Sequence, residues 1–85
     1  MKLVIVDDDI ALLSALSRRF SQRGFTVATF ADAVTPAELI AQQANVYLLD
    51  LRFASQSGLS FIAPLRGALP HCLTVIARAT GVGAY

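Results

Sequence analysis

The chain has 85 residues, 55% of them apolar and 15% charged, and seven basic against six acidic groups leave a net charge of +1. That length suits one domain, and the composition excludes intrinsic disorder. The balanced charge excludes a basic nucleic-acid footprint, the single cysteine excludes a disulfide framework, and no apolar stretch reaches the ~18 residues of a membrane span. Lys2, Leu3–Val6 and three aspartates in succession do not make a signal peptide. One domain over 1–85, in a reducing cytoplasmic compartment, is therefore expected. So high an apolar content also implies a large core or apolar surface that needs a partner.

Leu3-Val4-Ile5-Val6 is short and continuously apolar, as in a strand buried on both faces of a parallel sheet. Ile10, Leu13, Leu16 and Phe20 then recur at helical spacing, with Leu12 and Ala15 widening the stripe. Asp9 is the predicted N-cap of that helix, and Gly24 after Arg23 its stop. Phe25–Phe30 is rich in strand formers but less uniformly apolar, which suits an edge strand. Thr35-Pro36-Ala37-Glu38 combines a capping box with proline at the first helical position, and Leu39, Ile40 and Ala44 continue a second helix. Val46–Leu49 reads as a third strand and Ser55–Gly58 as a polar loop. Phe61, Ile62, Leu65 and Leu69 predict a third helix, whose Pro64 should kink it or delay its start. Leu73–Ala77 is the fourth strand. The order β-α-β-α-β-α-β predicts an α/β fold with a parallel sheet and right-handed crossovers.

Four of the six carboxylates close two apolar runs: Asp7, Asp8 and Asp9 close Leu3–Val6, and Asp50 closes Val46–Leu49. Open α/β sheets bind ligands beyond the carboxyl ends of their strands, where strand order reverses. If the first and third strands are neighbours there, Asp7, Asp8 and Asp50 converge on one crevice. Converging carboxylates disfavour each other's ionisation, and a hard cation such as Mg²⁺ with a few protein oxygens resolves the conflict. The plainer alternative makes the three aspartates a helix cap and Asp50 a strand terminator. Cys72 reads as a small core hydrophobe, and His71 lacks neighbours for a ligand cluster. Arg18, Arg19 and Arg23 suit the carboxyl end of the first helix, while the Arg52 side chain and Ser55–Ser57 read as solvated loop.

Val6-Asp7-Asp8-Asp9 after the first strand, with Asp50 after the third, resembles the receiver domain of two-component response regulators over essentially the whole chain. Leu49-Asp50-Leu51-Arg52-Phe53 with Ser57-Gly58-Leu59, and Arg23-Gly24-Phe25, resemble most closely the photosynthesis and redox global regulators. The resemblance implies a flavodoxin-like sheet of order 2-1-3-4 flanked by helices. It implies that Asp50 accepts a phosphoryl group from a sensor histidine kinase. Asp8 and Asp50 would ligate Mg²⁺ directly, Asp7 through water, and the backbone carbonyl of Arg52 would complete the set. Such a domain serves a phosphorelay ending in transcription regulation, without turnover of its own and without binding nucleic acid itself.

Receivers end a fifth strand with a lysine, whereas the only lysine here is Lys2, at the start of the first strand. A receiver truncated after its fourth strand is therefore expected. Thr80-Gly81-Val82-Gly83 resembles the Thr-Gly-Tyr-Gly of the similar receivers and offers Thr80 as a phosphoryl contact, although counting from Pro70 brings Arg78 or Ala79 to that place. Truncation predicts a bare edge at Leu73–Ala77 and an open sheet face, hence self-association. The alternative is that residues 78–85 fold back over that edge in a monomer. Two other functions stay open. One is a degenerate receiver that docks a partner without phosphorylation. The other rests on Asp7-x-Asp9, which resembles the first motif of haloacid-dehalogenase-type phosphatases.

Overall fold

The computed structural model describes residues 1–53, 56–78 and 81–84, without the side chains of 56, 78 and 81–84. In chain order β1 (Lys2–Val6) leads through α1 (Ile10–Gln22) to β2 (Thr26–Phe30), and α2 (Pro36–Ala41) leads to β3 (Val46–Asp50). Two short strands, β4 (Arg52–Phe53) and β5 (Gln56–Ser57), come next. A 3₁₀ turn over Gly58–Phe61 opens into α3 (Ile62–Ala68), and β6 (Leu73–Arg78) and β7 (Gly81–Ala84) follow. The main sheet has the order β2-β1-β3-β6-β7. Its first four strands are parallel, so the expected 2-1-3-4 order holds with β6 as the fourth predicted strand.

The edge of β6 is not bare. β7 pairs with it antiparallel, from Val75↔Ala84 to Arg78↔Gly81. The unpaired groups of an edge strand template any extended segment, and the nearest one is the chain's own continuation. The exposed-edge expectation is thus corrected in favour of the fold-back.

The helices divide between the two faces of the sheet. Val4, Val6, Tyr47, Leu49 and Ile76 meet Leu39 of α2 and Leu65 of α3 in one buried cluster. Leu3 and Ile5 meet Leu13 of α1 on the other face, with Leu16, Phe20, Val46 and Leu48 partly buried around them. Among the described residues, only those of β1 are buried on both faces of the sheet. In β3 and β6, Tyr47, Leu49, Thr74 and Ile76 are buried, but Val46, Leu48, Val75 and Ala77 are half-buried and Leu73 is 46% exposed. The continuous apolar run Val46–Leu49 is therefore fully covered on one face and only partly on the other.

The packed stripe of α1 is also narrower than its sequence suggests. Leu13 is buried and Leu16 and Phe20 half-buried, whereas Ala15 is exposed and Ile10 and Leu12 are 72% and 41% exposed. α1 lies mainly against β1 and β2, and its packing onto the sheet begins at Leu13 rather than in its first turn. At its far end, Phe20 meets Phe25 edge to face at 5.5 Å and fixes the entry to β2. α2 stops at Ala41, and Gln43 (φ 47°) turns the chain so that Ala44 is buried outside the helix. Pro64 stands in the first turn of α3, where no backbone donor is required, which accounts for the delayed start behind the 3₁₀ turn.

Candidate functional site

β1 and β3 are neighbours with Val6 opposite Leu49, so the residues that follow each strand emerge side by side. The Asp7 N–H donates to the Phe30 carbonyl at 3.1 Å, which holds the end of β1 against β2. Asp7 Oδ1 accepts the Asp9 N–H at 2.9 Å and turns the chain toward α1. Asp9 then caps that helix, its Oδ1 accepting the Leu12 N–H at 3.1 Å. Asp8, between them, is exposed. Across the gap, Asp50 pairs with Ala77, and the next N–H, from Leu51, donates to the Ala77 carbonyl at 3.0 Å.

One carboxylate oxygen from each of Asp7, Asp8 and Asp50 lies within 4.8 Å of the others. Burial, and then the charge of Asp7, push the Asp50 carboxyl above its ordinary pKa. Asp8 adds to the rise, and the backbone N–H groups of Arg52 and Leu51 oppose it. Opposed ligands of an octahedral Mg²⁺ sit about 4.2 Å apart, twice the roughly 2.1 Å bond. The three oxygens therefore fit a shared hard cation after a small adjustment, or with one of them bridged through water. All-oxygen donors of this charge suit Mg²⁺ rather than a soft metal.

The predicted residues Asp7, Asp8 and Asp50 are thus brought together. Arg52 adjoins them through its backbone, with its N–H 3.4 Å from Asp50 Oδ1 and its side chain exposed. Thr80, the expected phosphoryl contact, lies outside the described residues. Lys2 is at the far end of the sheet, its N–H donating to Asn45 Oδ1 at 2.8 Å. Glu38 completes the capping box with Thr35 and is not one of the clustered carboxylates. Cys72 is half-buried against the core, and burial pushes its thiol pKa up, as befits a packing residue.

The packing roles of two residues around Asp50, Phe53 and Gly58, escape the sequence reading. The stretch after it is not a plain polar loop: Arg52↔Ser57 and Phe53↔Gln56 pair antiparallel, with Phe53 fully buried. Gly58 donates its N–H to the Leu51 carbonyl at 2.7 Å and packs directly on the Asp50 backbone. A lone apolar residue and a glycine just after the acidic strand end were the available signals.

Fold and site together define an open α/β domain with an acidic crevice where β1 and β3 end, between crossovers on opposite faces. The response regulator receiver domain model matches residues 3–82, and the chain belongs to that family. It is 37% identical over 84 residues to the photosynthetic apparatus regulatory protein RegA of Rhodobacter capsulatus, covering 96% of this chain and 44% of RegA. It is 30% identical over 79 residues to the alginate biosynthesis transcriptional regulatory protein AlgB of Pseudomonas aeruginosa, covering 92% of this chain and 18% of AlgB. The chain thus spans less than half the length of these relatives. A Burkholderia pseudomallei response regulator, crystallised with a phosphorylated aspartic acid, calcium ion and citrate, superposes with a TM-score of 0.74 at 24% identity, covering 88% of this chain and 45% of that one. Among the described residues, no helix is long and apolar enough to cross a membrane.

Proposed function

We propose that this receiver accepts a phosphoryl group on Asp50 from a sensor histidine kinase, with Mg²⁺ held by Asp7, Asp8, Asp50 and the Arg52 backbone carbonyl. The observation that carries this is the convergence of three carboxylate oxygens within 4.8 Å at the ends of β1 and β3. Mg²⁺, when bound, neutralises the crowded anions and polarises the incoming phosphoryl group. Asp50 supplies the nucleophile: one carboxylate oxygen forms a bond to phosphorus as the phosphorus–nitrogen bond of a phosphohistidine breaks, and the leaving imidazole takes a proton from water. Asp7 and Asp8 hold the facing side of the crevice, and the Arg52 N–H orients the Asp50 carboxylate. Thr80 would contact the phosphoryl oxygens. The domain acts as an acceptor in a cytoplasmic phosphorelay toward transcription, not as a turnover enzyme. Asp9 speaks against the phosphatase reading, because its side chain is committed to the α1 cap.

Incubation with a small phosphodonor and Mg²⁺ tests the proposal. Wild type should take up one acid-labile phosphoryl group, Asp50→Asn none, and chelation should prevent uptake. Asp8→Ala should weaken Mg²⁺ binding more than Asp9→Ala, which removes a helix cap. Label persisting in Asp50→Asn would move the nucleophile to Asp7, and an unlabelled wild type would favour the docking module.

A further inference from the structure

We infer that Gly58 is a positioning residue for the phosphoacceptor: its lack of a side chain sets how far Asp50 advances toward Asp7 and Asp8. The inference rests on the reading of Asp50 as acceptor in a shared metal site. A β-carbon at position 58 would collide with the Asp50 carbonyl oxygen and stand 3.0 Å from the Asp50 carbonyl carbon and 3.4 Å from Leu51 Cα. All three atoms are backbone, so no rotamer change relieves the overlap. Conformation is not the reason for this glycine. Gly24 has a φ of +94°, whereas Gly58 lies outside the left-handed region and would accept any residue if space allowed.

Which partner yields decides the effect. The 58–61 turn is anchored from within, since its last residue, Phe61, and Phe53 of the preceding strand are 1% and 0% exposed in the core. The Ser57 side chain accepts the Leu59 N–H at 3.2 Å, and Ser60 Oγ donates to the Ser57 carbonyl at 2.7 Å. Moving the turn outward would pull both aromatic rings from their places. Asp50 is the last residue of β3, and its following peptide is held by one hydrogen bond, from the Leu51 N–H to the Ala77 carbonyl at 3.0 Å, against two buried rings and two side-chain bonds on the turn, so it is the softer side. A side chain at 58 therefore rotates the Asp50 peptide and carries the carboxylate away from the other two. Glycine here does for the acceptor what an orienting neighbour does for a metal ligand.

Gly67 supplies the control. It sits in α3 with nothing within 4 Å of where its β-carbon would lie, so Gly67→Ala should keep the site and raise helix stability. The full chain is compared as wild type, Gly58→Ala, Gly67→Ala and the double variant. Mg²⁺ affinity is read by calorimetry, stability by thermal melting, and carboxylate separations by crystallography. Gly58→Ala should lower Mg²⁺ affinity by about 10- to 100-fold, as when a group orienting a metal ligand is lost. Its Asp50 oxygens should lie outside the 4.8 Å set. The double variant should recover stability without recovering Mg²⁺ affinity. A folded Gly58→Ala with the three oxygens still together and wild-type affinity overturns the inference. Unfolding in both backgrounds also overturns it, by assigning Gly58 to folding alone. Should wild type bind no Mg²⁺, the metal reading fails and the carboxylate separations alone decide the role of Gly58.

Discussion

Asp50 is held where an anion is uncomfortable, and this has a consequence for stability. Burial first, then Asp7, raise its pKa above the ordinary 3.8. The folded chain therefore keeps this proton at pH values where the unfolded chain releases it. Asp50's contribution to stability is full below the unfolded value and is lost as pH rises through the folded one. Asp50→Asn removes the ionisation, so without Mg²⁺ this variant should melt higher than wild type at neutral pH. The gap should close in acid, below the ordinary carboxylate range. Thermal melts with a chelator across that range provide the check, and equal melting temperatures at neutral pH would contradict it. Adding Mg²⁺ should raise wild type and narrow the difference. The acids themselves were legible in the sequence, because charges closing apolar strands are chemically conspicuous. Gly58 and Phe53 were not, because a glycine's importance depends on what stands opposite it in space.

Among the elements, Tyr47 fixes β3 to the end of α2. It is fully buried, its hydroxyl donates to the Leu39 carbonyl at 2.6 Å, and it accepts the Ala44 N–H at 3.1 Å. Burial pushes its pKa up, so it remains a neutral phenol that can serve both partners. Tyr47→Phe keeps the ring and strands two backbone groups, which should cost about 1–3 kcal/mol. Urea unfolding with an unchanged slope would register that loss, and a change below about 0.5 kcal/mol would mean that the groups find other partners. The sequence showed where α2 begins, since Thr35 and Glu38 form the capping box that their spacing promises. It did not show where α2 ends, because Gln43 (φ 47°), not glycine, makes the left-handed turn. The β4–β5 ladder and β7 were also hidden. Two- and four-residue strands carry too little periodicity to separate from loops, and tertiary pairing creates them.

For the molecule as a whole, the two sheet faces are unequally covered. α2 and α3 close one face over Tyr47, Leu49 and Ile76, but α1 lies mainly over β1 and β2 and leaves the β3–β6 side of the other face only partly covered. There Val46, Leu48, Val75 and Ala77 are half-buried and Leu73 is 46% exposed. Fully burying such a side chain contributes roughly 1.5–3 kcal/mol, so a contiguous group of them favours association. With β7 occupying the β6 edge, a second copy could extend the sheet there only along the four-residue β7, so the expected contact is face against face. Light scattering after size exclusion should show a dimer or higher oligomer at micromolar concentration. Leu48→Glu or Leu73→Lys should shift it to monomer while leaving the opposite, closed core intact. Hydrogen exchange separates the two geometries: packing across faces leaves β7 amides as they are in the monomeric variants, whereas strand addition at the β7 edge would protect them. A monodisperse wild-type monomer would contradict self-association. Its α1-side residues would then have to tolerate solvent, as Ile10 and Leu12 already do.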